Sequence, residues 1–304
     1  MCGLCGFLYK DAERVGPVGR TLHAMLGPMA RRGTDSTGIA LYGPPQADSY
    51  VVRARIEANH GTPERVLQSL EAAGTVTESS QRGPNLRARV AYAGDIGALT
   101  DRIEAEPEVE VFSIGRAMEI VKDVGDADDV ERALPYASFE GSHAIGHTRM
   151  ATESLVDVAH SHPFWARPFP DISVVHNGHI TNYHKLRRRL ENQGHRFATG
   201  NDSEVIAVYI ADKLERGESL EDALRASVAD LDGTFAYLIS TPEGIGVARD
   251  PFALKPLLFA ETHEVALIAS EEIAIRAVDN DAALVPRELV PAKIETRTAN
   301  DWLK

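Results

Sequence analysis

The chain opens with MCGLCGFLYK at residues 1–10, and this stretch predicts a short buried strand directly after a cysteine. Removal of an initiator methionine tolerates a small second residue, so we expect Cys2 to become the first residue. It would then carry a thiol and an α-amine with a typical pKa of about 8. Nucleophile and base would lie on one residue, without a histidine. A cysteine at position 2 can also be incidental, so the motifs in other segments must show whether Cys2 is a nucleophile.

Cys2 and Cys5 also form a C-x-x-C spacing, which admits two further interpretations. A zinc site needs a second pair of ligands. Two such pairs exist on paper: His160 with His162, and His176 with His179. A redox motif would open a helix after a strand, whereas residues 2–10 are strand-like. We therefore predict that Cys5 is a small buried hydrophobe and that the chain holds no metal.

Length and composition set broad limits on the protein. The 304 residues allow one large or two medium domains, and a hydrophobic fraction of 43% allows a sizeable core. A net charge of −13 argues against a nucleic-acid partner, which would require a basic face. There is neither an apolar run long enough for a membrane span nor a secretory signal. Two cysteines cannot form a disulfide framework, so we expect a cytoplasmic protein.

The segment between Gly43 and about Gly141 differs from the rest of the chain. A strand is predicted at Ser49–Ile56, a helix at Pro63–Ala73, and a strand followed by a helix within Val109–Val124. The segment carries no constellation with a recognisable chemistry. We interpret it as an elaboration packed on the core, with a docking surface for a partner as the alternative.

The flanking parts of the chain predict alternating strands and helices. Helices are predicted at Val18–Arg31, Tyr183–Gln193, Glu204–Arg216, Leu220–Leu231 and Ile273–Val278. Asp202 or Ser203 is the predicted N-cap of the third of these. Strands are predicted around Ala144–Arg149 and Ile172–Val175. Helices that cover β-rich segments with short connections favour a layered α/β or α+β sandwich.

Short motifs occur in a fixed order along these flanking parts. They are Cys2-Gly3, RRGTDSTG at 31–38, GHTRMAT at 146–152, SHPF at 161–164, HNGHITN at 176–182, NDSE at 201–204, DGTFA at 232–236, ARDPFALKPL at 248–257 and SEEIAIRAV at 270–278. In this order they resemble the glutaminase domain of class II glutamine amidotransferases, which are N-terminal nucleophile hydrolases. The resemblance covers residues 2–42 and about 141–280.

This resemblance implies a fold and a division of the chain. The implied fold class is α+β, a four-layer αββα sandwich of the N-terminal nucleophile hydrolase type with an inserted α/β elaboration. A single class II amidotransferase domain would span residues 2–304, with its core at 2–42 and 141–280. Residues 43–140 would form a family-specific insertion, and residues 281–304 a C-terminal extension.

The resemblance also assigns catalytic roles. Cys2 would attack the side-chain amide of L-glutamine and form a γ-glutamyl thioester. A tetrahedral oxyanion needs fixed hydrogen-bond donors, and the resemblance gives this role to the side chain of Asn177 and the backbone N–H of Gly178. An Asn-Gly pair on its own is typical of a turn. Arg32 would support the nucleophile, with a plain structural arginine as an equal alternative.

Substrate-binding residues follow from the charges of an α-amino acid. Arg is the natural bidentate partner of a carboxylate, and the resemblance places Arg149 there, with Thr152 and the backbone of Met150 nearby. Asp202 would bind the α-ammonium group, although it could also be a helix cap alone. An N-terminal cysteine needs no histidine as its base, so we interpret His162 as a supporting, structural or substrate-lining residue.

The resemblance further suggests a partner. The glutaminase signature ends near Val278, and the 26 remaining residues cannot hold a synthase module. We therefore expect a stand-alone glutaminase subunit that passes ammonia to a separate subunit. The motif sequences resemble those of the small amidotransferase subunits of glutamate-synthase-like systems, among them N-methylglutamate synthase. In these systems a separate partner subunit carries flavin and iron–sulfur clusters. This chain itself is expected to hold no cofactor, since two cysteines cannot ligate a cluster.

Two alternatives remain open at this point. The chain could be an N-terminal nucleophile amidase acting on another amide, although Arg149 and Asp202 together favour an α-amino acid. It could instead be a non-catalytic regulatory subunit that binds glutamine. The presence of Cys2, Asn177 and Asp202 argues against that interpretation.

Overall fold

The structure is a computed structural model that describes residues 2–11, 13–57, 62–150 and 156–298. The strands are β1 (Gly3–Tyr9), β2 (Ser36–Tyr42), β3 (Tyr50–Ile56), β4 (Thr75–Arg82), β5 (Asn85–Ala91), β6 (Val109–Gly115), β7 (Met118–Val124), β8 (His143–Arg149), β9 (Phe164–Trp165), β10 (Ser173–Ile180), β11 (Gly233–Thr241), β12 (Gly244–Arg249), β13 (Leu258–Glu261), β14 (Val265–Ala269), β15 (Arg287–Glu288) and β16 (Ile294–Thr298). The helices are α1 (Val18–Met29), α2 (Pro63–Glu71), α3 (Ile96–Glu104), α4 (Ala127–Ala133), α5 (Tyr183–Asn192), α6 (Asp202–Glu215), α7 (Leu220–Asp230) and α8 (Glu272–Arg276), and a 3-10 turn follows α1 at Ala30–Arg32.

The strands form three antiparallel sheets. The first has seven strands in the order β15-β13-β14-β1-β8-β2-β7, and the second has five in the order β16-β12-β11-β10-β9. The third has four strands in the order β4-β5-β3-β6 and belongs to the middle of the chain. The seven-stranded and five-stranded sheets share an apolar core, so they lie face to face.

Strand β1 shows how the seven-stranded sheet buries both of its faces. Because successive side chains of a strand point to opposite faces, Leu4 and Leu8 enter the space between the two central sheets, where they meet Val175 of β10. Cys5 and Phe7 face the other way and pack with α1. Cys5 is fully buried there, as predicted for a small hydrophobe.

Helices cover the outer faces of both central sheets. Helix α1 packs on the seven-stranded sheet through Leu22, Met25, Leu26 and Met29, whose spacing places them on one helical face. Helices α5, α6 and α7 cover the outer face of the five-stranded sheet. The order helix, sheet, sheet, helix confirms the predicted four-layer αββα sandwich. Among the described residues, none of the helices combines the length and apolarity needed to cross a bilayer.

The segment Val109–Val124 corrects one prediction from the sequence. A strand and a helix were expected there, but the structure contains two strands, β6 and β7. The buried carboxylate of Asp171 accepts the backbone N–H groups of Arg116, Ala117 and Met118 at 3.0, 2.8 and 2.7 Å, which holds the turn between them. Strand β6 joins the four-stranded sheet, whereas β7 pairs with β2 in the seven-stranded sheet.

A buried ion cluster joins the four-stranded sheet to the seven-stranded sheet. Arg53 of β3 and Arg87 of β5 lie directly opposite each other, an arrangement that is unfavourable for two like charges. Glu119 of β7 lies between them, at 2.6 Å from Arg53 and 2.8 Å from Arg87. Burial alone would raise the pKa of Glu119, but the two guanidinium groups outweigh it and hold that pKa below its usual range.

We expect Glu119→Ala to lower the free energy of unfolding by about 3–5 kcal/mol, because it leaves two facing guanidinium groups largely buried without their shared carboxylate. Urea denaturation at pH 7 measures this change. Glu78→Ala is the matched control, since Glu78 is 57% exposed and contacts Arg87 and Arg89 at 3.3 Å. That variant should lose less than about 1 kcal/mol. Equal losses for the two variants would contradict a structural role for the buried cluster.

Candidate active site

The sulfur of Cys2 lies at one end of the space between the two central sheets. Strands β1 and β8 are antiparallel with Gly3 opposite Thr148, so Cys2, the residue before β1, lies opposite Arg149, the last residue of β8, and close to Met150. The backbone N–H of Met150 accordingly faces Cys2 Sγ at 3.4 Å, and the thiol faces the Met150 carbonyl at 3.6 Å. Cys2 is partly exposed. The sulfur therefore combines access to solvent with a contact to a backbone N–H group.

A close backbone contact fixes the peptide that faces this sulfur. A Cβ atom on Gly33 would come within 2.4 Å of the carbonyl carbon of Arg149 and 2.5 Å of the nitrogen of Met150. The neighbouring Asp35 N–H donates to the Arg149 carbonyl at 3.1 Å. The glycine of the RRGTDSTG motif is thus required because two backbone segments touch there.

Arg32 contacts the backbone of the predicted nucleophile. Its Nε donates to the Cys2 carbonyl at 2.9 Å, and its Nη1 donates to Glu271 at 2.6 Å. The Arg32 side chain is 9% exposed. Arg32 therefore holds Cys2 in place from the side of its carbonyl. Glu271, which also binds Arg31, was not singled out from the sequence, although it lies in the SEEIAIRAV motif.

Asn177 approaches Cys2 from the opposite sheet. Val175 of β10 faces the space between the sheets, and Asn177, two residues later, faces the same way. Asn177 Nδ2 lies 3.3 Å from the Cys2 carbonyl oxygen and 3.2 Å from Ser270 Oγ. Asn177 Oδ1 accepts a hydrogen bond from His147 Nε2 at 3.0 Å. The fold thus brings together two residues that are 175 positions apart in the chain.

Strand pairing determines where the N–H group of Gly178 points. Gly178 is opposite Phe235, whose own N–H and C=O both bond to Asp250 on the far side. Gly178 and Phe235 therefore form a pair without mutual hydrogen bonds, and the Gly178 N–H points away from β11. With φ of +138°, Gly178 also has a backbone that favours glycine, and a Cβ atom would lie 2.0 Å from the Thr234 carbonyl oxygen.

Asp202 is the first residue of α6, and Asn201 is the residue that caps the helix. Asn201 Oδ1 accepts the Ser203 N–H at 2.9 Å, so the prediction of Asp202 or Ser203 as the cap is wrong. Asp202 Oδ2 instead accepts the Ile180 N–H at 2.9 Å. That N–H lies on the same edge of β10 as the Gly178 N–H, because the two residues are two positions apart. The carboxylate lies in the first turn of α6, at the end of the helix whose backbone N–H groups point outward.

The remaining predicted substrate-binding residues lie at the end of β8. Arg149 is 6% exposed and faces the space between the sheets, as do Ile145 and His147 earlier in the strand. Met150 is 41% exposed beside Cys2. Thr152, the third residue predicted near the substrate carboxylate, lies outside the described residues. The described residues thus bring a thiol, an amide and a carboxylate to the edge of β10, with Arg149 at the end of β8.

Three histidines fill the interior behind this edge. The rings of His147 and His162 are 4.1 Å apart, and Ser203 Oγ lies 2.9 Å from both His162 Nε2 and His176 Nδ1. Burial lowers the pKa of His147 to about 3 and holds the pKa of His162 and His176 below the usual value. All three are neutral at pH 7. His162 contacts the N-terminal turn of α6 rather than the Cys2 sulfur, a placement that suits a supporting role.

These depressed pKa values predict acid sensitivity. Between pH 6.5 and pH 5 the unfolded chain gains more protons on these histidines than the folded protein does, so the free energy of unfolding should fall as pH falls. Each such histidine contributes a slope of up to about 1.4 kcal/mol per pH unit. Urea unfolding at pH 7.5, 6.5 and 5.5 measures the effect. His147→Gln should give a shallower slope than the unchanged protein, and an unchanged slope would contradict the prediction.

Comparison of the sequence with known proteins finds related chains. A family profile described as a glutamine amidotransferase domain matches residues 147–277. A protein of Methanothermobacter thermautotrophicus, whose name assigns it provisionally to the glutamine amidotransferases, is 39% identical over 91% of this chain and 94% of its own length. A glutamine amidotransferase-like protein of Rhizobium meliloti is 37% identical over 90% of this chain and 91% of its own length.

Solved structures share the architecture. Glutamine phosphoribosylpyrophosphate amidotransferase from B. subtilis superposes with a TM-score of 0.60 and 20% identity over 98% of this chain. The structure titled as the allosteric regulatory enzyme of purine biosynthesis gives a TM-score of 0.59 and 21% identity. This chain spans about half of each of those proteins, 49% in both cases. At this level of identity the similarity concerns the fold.

Proposed function

The chain belongs to the family of class II glutamine amidotransferases, and on that basis we propose that it hydrolyses L-glutamine to glutamate and ammonia through a thioester on Cys2. One observation carries the proposal. The Cys2 residue lies against Asn177, with Nδ2 of the amide 3.3 Å from the Cys2 carbonyl, while Met150 N–H faces the sulfur at 3.4 Å. A nucleophile and a strong donor for an oxyanion therefore share one corner of the fold.

The proposed first half of the reaction forms the thioester. It requires removal of Met1, which frees the Cys2 α-amine to accept the thiol proton. Sγ then bonds to Cδ of glutamine, and the developing oxyanion accepts hydrogen bonds from Asn177 Nδ2 and the Gly178 N–H. The α-ammonium group returns the proton to the amide nitrogen, the Cδ–N bond breaks and ammonia leaves.

The second half releases glutamate. A water molecule gives a proton to the Cys2 α-amine and bonds to Cδ, and the same two donors stabilise the oxyanion again. The Cδ–Sγ bond breaks, the sulfur regains its proton from the α-ammonium group, and glutamate departs. One water molecule is consumed and one ammonia molecule is produced per glutamine. Arg32 and Glu271 keep the Cys2 backbone fixed through both halves.

Asp202 is the proposed partner of the substrate α-ammonium group, and Arg149 that of the α-carboxylate. The Asp202 carboxylate lies at the edge of β10 that also presents the Gly178 N–H. Asp202→Asn should raise KM for L-glutamine by about 10- to 100-fold with a smaller change in kcat, since a hydrogen bond to a charged group contributes about 1.5–3 kcal/mol. Steady-state kinetics with glutamine check this, and Asp232→Asn serves as a control in the nearby DGTFA motif. A change confined to kcat would contradict the binding role.

The test of the function itself is product formation. Purified protein is incubated with L-glutamine, and glutamate and ammonia are quantified separately. Equal amounts of both products are expected, with no release from D-glutamine, whose α-carboxylate and α-ammonium would exchange places. L-Asparagine, shorter by one methylene group, should be a poor substrate. Release of ammonia from another amide but not from L-glutamine would shift the assignment to a different amidase.

We also propose that the ammonia passes to a separate glutamate-synthase-like subunit that carries flavin and iron–sulfur clusters, as in N-methylglutamate synthase. The two relatives described above are matched over 94% and 91% of their own lengths, which leaves them no space for a synthase domain. Phe252 and Leu254, which are 70% and 67% exposed, follow β12 at the same end of the sheet as Gly178. These two side chains offer apolar contacts for such a subunit at this end of the sheet.

A further inference from the structure

The side-chain amide of Asn177 is held from two sides by residues outside the proposed catalytic set. His147 Nε2 bonds to Oδ1 at 3.0 Å, and Ser270 Oγ bonds to Nδ2 at 3.2 Å. A third contact, from Nδ2 to the Cys2 carbonyl, is longer at 3.3 Å. An amide has different groups at its two ends, so contacts at both ends select one of its two orientations.

His147 fixes the oxygen end. An amide oxygen only accepts hydrogen bonds, so His147 Nε2 must carry a hydrogen for this contact to form. His147 is 1% exposed and lies on β8, the strand that also carries Arg149. It is packed against the ring of His162 at 4.1 Å, which restricts its rotation. The donor is therefore neutral and restricted in its rotation, and its hydrogen-bond partners are the Asn177 amide and the backbone of His176.

Ser270 fixes the nitrogen end and links it to the strand of the nucleophile. Ser270 Oγ accepts the Leu4 N–H at 3.0 Å, and the Ser270 N–H donates to the Leu4 carbonyl at 2.9 Å. Leu4 is two residues after Cys2. Ser270 is 2% exposed and lies directly after β14. Ser270 thus holds the amide nitrogen at a fixed position relative to the backbone of β1, and the same backbone determines where Cys2 lies.

We propose that His147 is a positioning residue that, together with Ser270, orients the Asn177 amide so that its N–H group, and not its oxygen, faces the oxyanion. This inference rests on the proposed glutaminase function. A rotation of the amide by 180° would place Oδ1 against the oxyanion, which converts a stabilising contact into a repulsive one. The contact to the Cys2 carbonyl is the one that the oxyanion would replace, because it is made on the side of the nucleophile, whereas Ser270 anchors the amide to β1.

A double-mutant cycle tests the proposal. His147→Leu keeps an apolar side chain but removes the donor, and it should lower kcat by about 10- to 100-fold with KM for glutamine changed less than about threefold. His147→Gln keeps an N–H near the position of Nε2 and should recover at least half of the lost activity on a logarithmic scale. In an Asn177→Ala background, His147→Leu should cause no further loss, because it acts through the amide.

Two outcomes would overturn this role. One is a further decrease in kcat when His147→Leu is added to Asn177→Ala. The other is an increase in KM for glutamine in place of a decrease in kcat. Ser270→Ala provides a second variant of the same kind in case His147→Leu does not fold. His143→Leu is the matched control for removing an imidazole from β8. His143 is likewise 1% exposed and neutral, but its Nε2 contacts the Thr241 carbonyl at 2.9 Å. The kcat of the His143→Leu variant should remain within about twofold of the value for the unchanged protein.

A second measurement does not depend on catalysis. The Asn177 side-chain amide is observed by ¹⁵N NMR, with its resonance assigned by its disappearance in Asn177→Ala. His147→Leu should increase the hydrogen exchange rate of this amide at least tenfold, and His147→Gln should not. If the unchanged protein releases no glutamate, the proposed function fails while this measurement still decides whether His147 orients the amide. Equal exchange rates in all three proteins would refute the orienting role.

Discussion

Cys2→Ala should lower the release of glutamate by at least about four orders of magnitude, since removal of a nucleophile leaves only the residual effect of binding and oxyanion stabilisation. The reason is local. Among the described side chains around the Asn177 amide, Cys2 is the one that carries a thiol, and a backbone N–H faces its sulfur at 3.4 Å. Alanine retains the backbone contacts of Arg32 and Asn177 with the Cys2 carbonyl, so the variant should still fold and bind glutamine.

Covalent labelling separates Cys2 from the second cysteine. A glutamine-like diazo ketone should alkylate Cys2, and peptide mass spectrometry locates the added mass. Cys5 is the internal control, because it is fully buried and burial raises the pKa of its thiol. Modification at Cys5, or glutamate release by Cys2→Ala near the rate of the unchanged protein, would contradict the assigned nucleophile. Mass spectrometry of the intact protein also shows whether Met1 has been removed, as the proposed base requires.

Asn177→Ala should have the second largest effect, a decrease in kcat of about 100- to 1000-fold with little change in KM. The amide contributes the side-chain donor of the proposed oxyanion hole, and that donor is needed more in the transition state than in the bound substrate. The Gly178 N–H remains in the variant, so activity should not fall to the level of Cys2→Ala. Steady-state kinetics over a range of glutamine concentrations separate the two parameters.

Asn182→Ala provides the comparison within the same HNGHITN motif. The Asn182 side chain donates to the Asp230 carbonyl at 2.8 Å and accepts the Asp232 N–H at 3.1 Å, so its contacts hold a turn. Its loss should reduce stability and leave kcat within about threefold of the unchanged protein. If the two asparagine variants lowered kcat equally, Asn177 would have no special part in the reaction.

Much of the framework follows from sequence patterns because local rules determine it. Helix α1 was predicted at Val18–Arg31 and is present at Val18–Met29. The expected helix at Tyr183–Gln193 is α5, at Tyr183–Asn192. The apolar spacing of a helix and the alternation of a strand are properties of neighbouring residues, so a single sequence reveals them.

The middle of the chain was less predictable for a physical reason. Strand β4 is almost entirely solvent-exposed and has no apolar face to mark it as a strand. It exists because it pairs with β5 across the turn at Gly83, whose φ is +55°. The turn between β6 and β7 depends on Asp171, more than 50 residues away. Contacts over such distances leave no periodic signal. The division of the chain at residues 43–140 and 281–304 stays a prediction.

The candidate site divides in the same way. Cys2, Asn177, Gly178 and Asp202 lie in short motifs whose residue types suit the chemistry, so they could be proposed before the fold was known. His147, Ser270 and Glu271 lie in those motifs too, but their importance comes from hydrogen bonds between strands that are distant in sequence. Only the packed fold shows that His147 and Ser270 contact the Asn177 amide and that Glu271 contacts Arg32.

The buried carboxylate of Glu119 limits how this protein could be shortened. Trimming the four-stranded sheet to obtain a minimal amidotransferase would remove Arg53 and Arg87 and keep Glu119, because β7 belongs to the seven-stranded sheet. The truncated chain would then hold a carboxylate without its counter-ions at an edge of that sheet. A shortened version should therefore carry Glu119→Leu or Glu119→Met.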